Sequence, residues 1–485
     1  VRDLGRFDVI VLGAGPAGLG AAWEAAAGGA RVLVVERDDA TGGLCRTHER
    51  DGFRFDLGGH RFITADRDLL DRVVRLAGDD LLLAERTSEV ALLGRRFRYP
   101  LELGDLVKNL PPGLAVKALA SWARSRLRPR GAPAATFEDW AVERFGRVLF
   151  DLFIGPYTAK VWGEHPRELS TEWAAQRISL LDLGEAARHL LPRLFAGRAA
   201  ATPRTHARTF LYPRLGMGQL FDRIRDEAQR RGATVVHRAR AASFERDGPR
   251  LSSVTLETAE GPALARADWV LSTIPLPALL PLALGAEGAA LAAPFAFRPV
   301  RFIDVALARP TALPTTWCYV GDERLAAGRL QEPRRRSAHM APPGATSLMI
   351  EVPHAPGDAV DRATDDELLG RMKDELRPLV DLDRDVRFAF SVRAPEAYPV
   401  HRRGTEDARA AALAALGRVP NLRTFGRQGA FRFIFSDAAL RMGLDAAAGA
   451  LAGAPPPNEV LARVQSARTL VEVESVVDGA SLGRA

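Results

Sequence analysis

The sequence predicts an α/β protein in which a parallel-sheet unit is interrupted twice, by a helical insertion and by an antiparallel sheet. Three observations predict it. The chain opens on strand, glycine turn, helix and strand in "FDVIVLGAGPAGLGAAWEAAAGGARVLVVER". Strand-like runs that can join the same sheet recur near 235, 270 and 422. Between them, helix-period segments fill 65–205 and strand-like runs fill 296–395. The expected divisions are a discontinuous nucleotide-binding domain (1–65, 205–295, 405–453), a helical insertion (66–204), a substrate domain (296–404) and a C-terminal helix and tail (454–485).

The elements follow in order. "RVLVVE" reads as a buried second strand. "DRDLLDRVVRLAG", "PPGLAVKALASWARSRL" and "TFEDWAVERFGRVLFDLFI" carry helical periodicity, and Thr136 is placed to cap the last. "ATVVHRARAASFERDG" is one strand-like run, with "LSSVTLETAEG" as its hairpin partner. The apolar stretch from Trp269 to Phe297 is broken by Pro275, Pro277, Pro281 and Pro294, so it predicts loops and a short helix rather than a membrane span. "VRFIDVALA", "TSLMIEVPH" and "VRFAFSVRAPEAYPV" predict the antiparallel sheet, and "SDAALRMGLDAAAGALAG" a closing helix.

Composition narrows the class. The 485 residues are 47% hydrophobic and 26% charged, enough for a large core and several structural units. The two cysteines, Cys45 and Cys318, exclude a disulfide scaffold, and no metal-ligand spacing is present. A strand that starts almost at once leaves no room for a signal peptide in this sequence, and a cytoplasmic setting is expected. The net charge of +7 is carried largely by arginine. No nucleic-acid motif accompanies it, which leaves a surface without specific function or a cleft for anionic small molecules.

The glycine turn carries the first chemistry. Gly13, Gly15 and Gly18 form G-x-G-x-x-G: Gly13 for the tight turn, Gly15 for approach of a pyrophosphate, Gly18 for close helix packing. The following helix offers N–H donors and a partial positive charge. Glu36 lies 18 residues after Gly18, at the end of the second strand, placed to accept from a ribose. The unit is Rossmann-type. A second glycine pair, Gly42–Gly43, followed by Arg46, and then "DLGGH" ending in His60, suit the pyrophosphate and ring of a flavin, so the predicted dinucleotide is FAD.

"GAGPAGLGAAWEAAAGGARVLVVERDDATGGLCRT" resembles the flavoproteins that include amine oxidases, protoporphyrinogen oxidases and UDP-galactopyranose mutases. "DLGGHRF", "PYTAKVWG" with "STEWAAQRI", "FLYPRLGMGQL" and "VLSTIP", in this order, look like the mutase branch, over roughly residues 7–453. The resemblance implies that Gly13, Gly15, Gly18, Glu36, Gly43, Arg46, Gly59, His60, Val236, Gly426, Arg427 and Met442 hold FAD. It implies that Tyr99, Phe153, Trp162, Arg177, Arg329 and Tyr398 bind substrate, with His60, Arg177 and Arg329 in the catalytic set. Read alone, Arg177 is equally a helix cap or a partner of Glu172, His60 a core histidine, and Tyr99 and Phe153 core residues. Tyr157 and Trp173 are expected to pack the insertion.

The implied reaction is pyranose–furanose interconversion of a nucleotide diphosphate sugar, with N5 of reduced FAD as nucleophile at the anomeric carbon and NAD(P)H as a possible reductant. The sequence departs from that branch where a "Y-N-N-M-D-H"-like run is usual. Phe433, Ile434, Phe435 and Ala438 replace polar groups and only Asp437 survives; Thr158 stands where asparagine is common. The resulting apolar pocket motivates the alternative, an FAD-dependent oxidase or desaturase acting on an apolar or amine substrate. A third reading, a flavoprotein at a membrane surface, rests on the basic helix near 114–130. No metal and no nucleic-acid partner are expected, and a homo-oligomer is compatible with the sequence.

Overall fold

The computed structural model describes residues 1–64, 66–99, 103–127, 134–171, 209–453 and 483–484. Its first large sheet has the strand order Ala239–Asp247, Arg250–Thr258, Gly261–Ser272, Arg2–Leu12, Val32–Val35, Thr234–Val236, and Leu422–Thr424 also pairs with Gly261–Ser272. The centre is parallel, and the strands 239–247, 250–258 and 261–272 form an antiparallel meander at one edge.

Period-2 burial explains the two-sided core. Val9 and Val11 face the helices Pro16–Ala27, Met217–Arg230 and Ser436–Leu451, while Ile10 and Leu12 face Leu276–Ala292 and Thr405–Leu416. A strand covered on both faces must be apolar at successive positions, and Val9–Leu12 is. The strands expected near 235, 270 and 422 all lie in this sheet.

The second large sheet runs Val386–Pro399, Phe297–Leu307, Thr346–Pro353, Arg329–Gln331, Trp317–Val320, Ser88–Leu92, Arg95–Arg98. It is antiparallel except that Ser88–Leu92 runs parallel to Trp317–Val320. Residues 81–98, read as part of a helical stretch, are strands. Leu81–Glu85 pairs with Thr209–Pro213, and the hairpin 88–98 extends the second sheet. Its turn residues Leu93 and Gly94 both have positive φ (54° and 68°), the two-residue turn that matches strand twist.

Three further local expectations change. The run 233–248 is two strands at opposite edges of the first sheet, separated where Arg238 turns to φ 50°. The proline-rich stretch holds a 17-residue helical segment, Leu276–Ala292, kinked at Gly285 (φ 61°). No helix among the described residues is long and apolar enough to cross a membrane. The segment 136–154 is not one helix. Thr136 and Asp139 form a capping box for Phe137–Phe145, Gly146 breaks the helix, and a π turn at Phe150–Ile154 leads into Gly155–Trp162. The expected C-terminal helix and tail lie outside the described residues, apart from Gly483–Arg484, which pair with the strand Leu81–Glu85.

Candidate active site

A cavity of about 900 Å³ runs from the carboxyl ends of the first sheet's parallel strands to the face of the second sheet. That is where a doubly wound sheet places a ligand, and the size is at the upper end of the ~300–1,000 Å³ typical of small-molecule sites.

The nucleotide end is built from backbone. Gly13 has φ 95°, and a Cβ there would lie 2.4 Å from Thr273 Oγ1. Gly15 faces Gly43: a Cβ on Gly43 would sit 3.2 Å from the Gly15 Cα. Gly18 does not border the cavity; its Cβ would be 1.8 Å from the Gly13 carbonyl, so it sets the helix against the turn. No side chain caps the helix Pro16–Ala27 at Gly15. Arg46 reaches Asp38 at 3.3 Å through Nη1, while its buried Nε has no hydrogen-bond partner among the described residues. Glu36 borders the cavity with its carboxylate fixed by Ala14 N (2.7 Å) and Asp38 N (2.9 Å). An uncapped helix terminus and an unsatisfied guanidinium nitrogen fit a pyrophosphate, and a carboxylate with remaining lone pairs fits a ribose.

Further in, Gly58, Gly59 and His60 border the cavity. His60 Nε2 lies 2.7 Å from the Leu57 carbonyl, which fixes the proton on Nε2. Burial pulls the ring down to about 4, so it is neutral at pH 7. Burial and Asp56 push the neighbouring Cys45 thiol up to about 12, which keeps it protonated. Gly426 and Arg427 border the far side with the first turn of Ser436–Leu451, another helix start that no side chain caps. Arg427 is committed to protein carbonyls, donating to Ala397 O (2.8 Å) and Ile434 O (3.2 Å).

Two residues assigned to the cofactor do not border the cavity. Val236 is absent from the cavity wall, and its carbonyl accepts from Glu36 N at 2.8 Å; Ala239, Ala241 and Glu257 border that end instead. Met442 is buried between helices one turn deeper than Ala439, which does border the cavity. The cavity touches only the first turn of that helix.

The substrate half is a wall of rings. Tyr99, Phe153, Trp162 and Tyr398 all border it. Trp162 lies 5.4 Å from Tyr398 and 5.8 Å from Phe433, and Phe433 lies 6.3 Å from Phe435. A second group joins Tyr99 to Tyr319 at 4.9 Å and Tyr319 to Tyr157 at 6.1 Å. Tyr157, expected as packing, borders the cavity and donates to Gly328 O at 3.2 Å. The π turn brings Phe153 and Ile154 to the wall, and Lys160 ties the following helix to Val320, Asp322, Leu325 and Ala327 carbonyls at 2.5–3.3 Å. Arg329 borders the cavity, but its charge is met by Glu351. Burial opposes the charged Arg329, yet Glu351, Tyr398 and Tyr319 outweigh it and raise the pKa. Arg177 and Trp173 lie outside the described residues.

Sequence reading missed Tyr319, Glu351 and Arg86. The first two sit on strands whose pattern shows only burial. Arg86 is one arginine among many, in a run read as helical.

Fold and cleft together define a flavoprotein with a dinucleotide-binding sheet and a second sheet that closes the cavity. Residues 16–422 match the flavin-containing amine oxidoreductase family; the chain belongs to it, and its cofactor is FAD. The chain is 28% identical over 425 residues to a coproporphyrinogen III oxidase of Propionibacterium freudenreichii subsp. freudenreichii, covering 78% of each. It is 25% identical over 342 residues to a chloroplastic protoporphyrinogen oxidase of Nicotiana tabacum, covering 67% of this chain and 60% of that one. Among solved structures, reduced UDP-galactopyranose mutase superposes with a TM-score of 0.80 at 24% identity, covering 97% of this chain and 100% of that one. A protein described as a putative protoporphyrinogen oxidase from Exiguobacterium sp. 255-15 gives 0.68 at 18% identity, covering 92% and 99%. At these identities the structural matches establish the fold.

Proposed function

We propose that the chain is an FAD-dependent oxidoreductase whose substrate lays an apolar or aromatic face over the cofactor. The observation that carries this reading is the ring wall Trp162–Tyr398–Phe433–Phe435, beside which Arg427 is already held by carbonyls and Arg329 by Glu351. Such a wall excludes water and favours flat, apolar surface. The names of two relatives, both porphyrinogen oxidases, support the same class.

In this reading Gly13, Gly15, Gly43 and Arg46 hold the FAD pyrophosphate, Glu36 accepts from the adenosine ribose, and Gly59, His60 and Gly426 border the ring system. When bound, FAD supplies a two-electron acceptor. His60 holds its Nε2 proton on the Leu57 carbonyl, so it positions the Gly58–Gly59 loop and is not the proton donor. The test is aerobic incubation of FAD-loaded protein with coproporphyrinogen III, protoporphyrinogen IX and a panel of apolar amines, following dioxygen consumption and peroxide. Turnover with any of them supports the reading; no turnover with the whole panel counts against it.

A second reading, a nucleotide-sugar mutase with Arg177, Arg329 and Tyr398 on the substrate phosphates, is favoured by one observation. Arg86 lies beside Tyr99 on the cavity wall with no carboxylate partner among the described residues, which makes that corner cationic. Conversion of UDP-galactopyranose to a furanose by the chemically reduced protein, and not by the oxidised one, would establish it.

A further inference from the structure

We propose that Arg86, with the hydroxyls of Tyr99 and Tyr319, forms a subsite for a substrate anion, a carboxylate or phosphate carried on an otherwise apolar molecule. Arg86 borders the cavity. Its Cζ lies 5.9 Å from the centre of the Tyr99 ring, and among the described residues it makes no hydrogen bond and no ion pair. Two other cations on the cavity wall contrast with it: Arg329 is neutralised by Glu351, and Arg427 donates to the Ala397 and Ile434 carbonyls. Burial lowers the pKa of Arg86, and only the Tyr319 and Tyr99 phenols act the other way. A partly buried guanidinium without a counter-ion is costly, and an incoming anion supplies the missing charge through a two-pronged contact.

The corner is preorganised. Arg86 sits where the chain crosses from strand Leu81–Glu85 in one sheet to Ser88–Leu92 in another. The next residue is pinned: Thr316 N donates to Thr87 O at 2.9 Å and to Thr87 Oγ1 at 3.0 Å. Tyr99 is fixed by its N–H on Ser88 O and by Ser88 Oγ on its carbonyl, each at 2.9 Å. The side chain therefore projects from a rigid crossover, a site held in place before ligand arrives.

The inference rests on the cavity beside FAD being the substrate site, and not on the redox reaction assigned to it. Its test is a binding titration of FAD-loaded protein, followed by perturbation of flavin absorbance and by calorimetry. The probes are UDP for a phosphate and coproporphyrin III for carboxylates. Arg86→Gln is expected to weaken the bound probe by roughly tenfold to a hundredfold. Arg86→Lys is expected to recover part of the loss, and Arg384→Gln, an exposed charge-matched control, to leave affinity unchanged. The probe that loses affinity identifies the anion class. Equal affinity of Arg86→Gln and wild type for both probes, with FAD content and melting temperature preserved, overturns the subsite. An Arg86→Gln protein that still consumes dioxygen with an uncharged substrate separates failure of the subsite from failure of the oxidoreductase reading.

Discussion

Arg329 meets Glu351 through two guanidinium nitrogens on one carboxylate oxygen, Nη2 at 2.6 Å and Nε at 3.0 Å. Gln331 Nε2 donates to the same oxygen, and the Tyr398 hydroxyl lies 3.5 Å from the other. The guanidinium packed against Gly59 thus reaches the cavity already paired. Glu351→Gln removes the carboxylate and leaves a buried guanidinium without charge compensation, at a cost of about 3 kcal/mol. A clear drop in melting temperature is expected. Unchanged stability would show that solvent, not Glu351, compensates Arg329.

Two glycines of one motif separate cofactor binding from folding. A Cβ on Gly15 would have its nearest neighbour, the Gly43 Cα, at 4.0 Å, so Gly15→Ala leaves the protein folded and obstructs only the phosphate. A Cβ on Gly18 would lie 1.8 Å from a carbonyl oxygen, so Gly18→Ala displaces the helix and destabilises the fold itself. Calorimetric melting of the two FAD-free proteins, with FAD titration of each, checks this. Gly15→Ala should keep the wild-type melt and lose FAD affinity.

His48, His60 and His401 are each pulled down to about 4 by burial. The unfolded chain takes up protons near the ordinary value of 6.5 while the folded chain does not. Stability is therefore full above about 6.5 and falls as pH drops toward 4, by up to ~1.4 kcal/mol per pH unit for each histidine. Melting temperature from pH 8 to 4.5 is expected to fall below pH 6.5, less steeply for His60→Asn.

Asp304 is fully buried, and neither carboxylate oxygen has a hydrogen-bond partner among the described residues. Burial, with Asp56 nearby, raises its pKa well above the ordinary value. A raised carboxyl pKa works against the fold increasingly as pH rises above about 3.9. Asp304→Asn should therefore raise the melting temperature at pH 8, with the gain shrinking toward pH 4. A loss at pH 8 would mean that buried water or a missing partner satisfies the carboxylate.

The nucleotide half was legible in sequence because its chemistry is backbone chemistry. Gly13, Gly15 and Gly18 sit at fixed offsets, and Val32–Val35 is buried on both faces. The substrate half was less legible, because its wall joins residues distant in the chain. Arg86, Phe153, Tyr319 and Tyr398 meet only once the hairpin 88–98 has joined a sheet formed some 200 residues later. The short runs "LLLAE" and "SEVAL" carry no periodicity long enough to distinguish strand from helix. Met442 and Val236 were placed by family position, and neither borders the cavity.

The most direct test of the central claim is the flavin spectrum during anaerobic mixing of oxidised, FAD-loaded protein with coproporphyrinogen III, protoporphyrinogen IX or an apolar amine. The account predicts that one of these bleaches the yellow absorbance, that air restores it, and that UDP-galactopyranose leaves it unchanged. A flavin that none of them reduces, in a protein that forms furanose from UDP-galactopyranose only after chemical reduction, would contradict it.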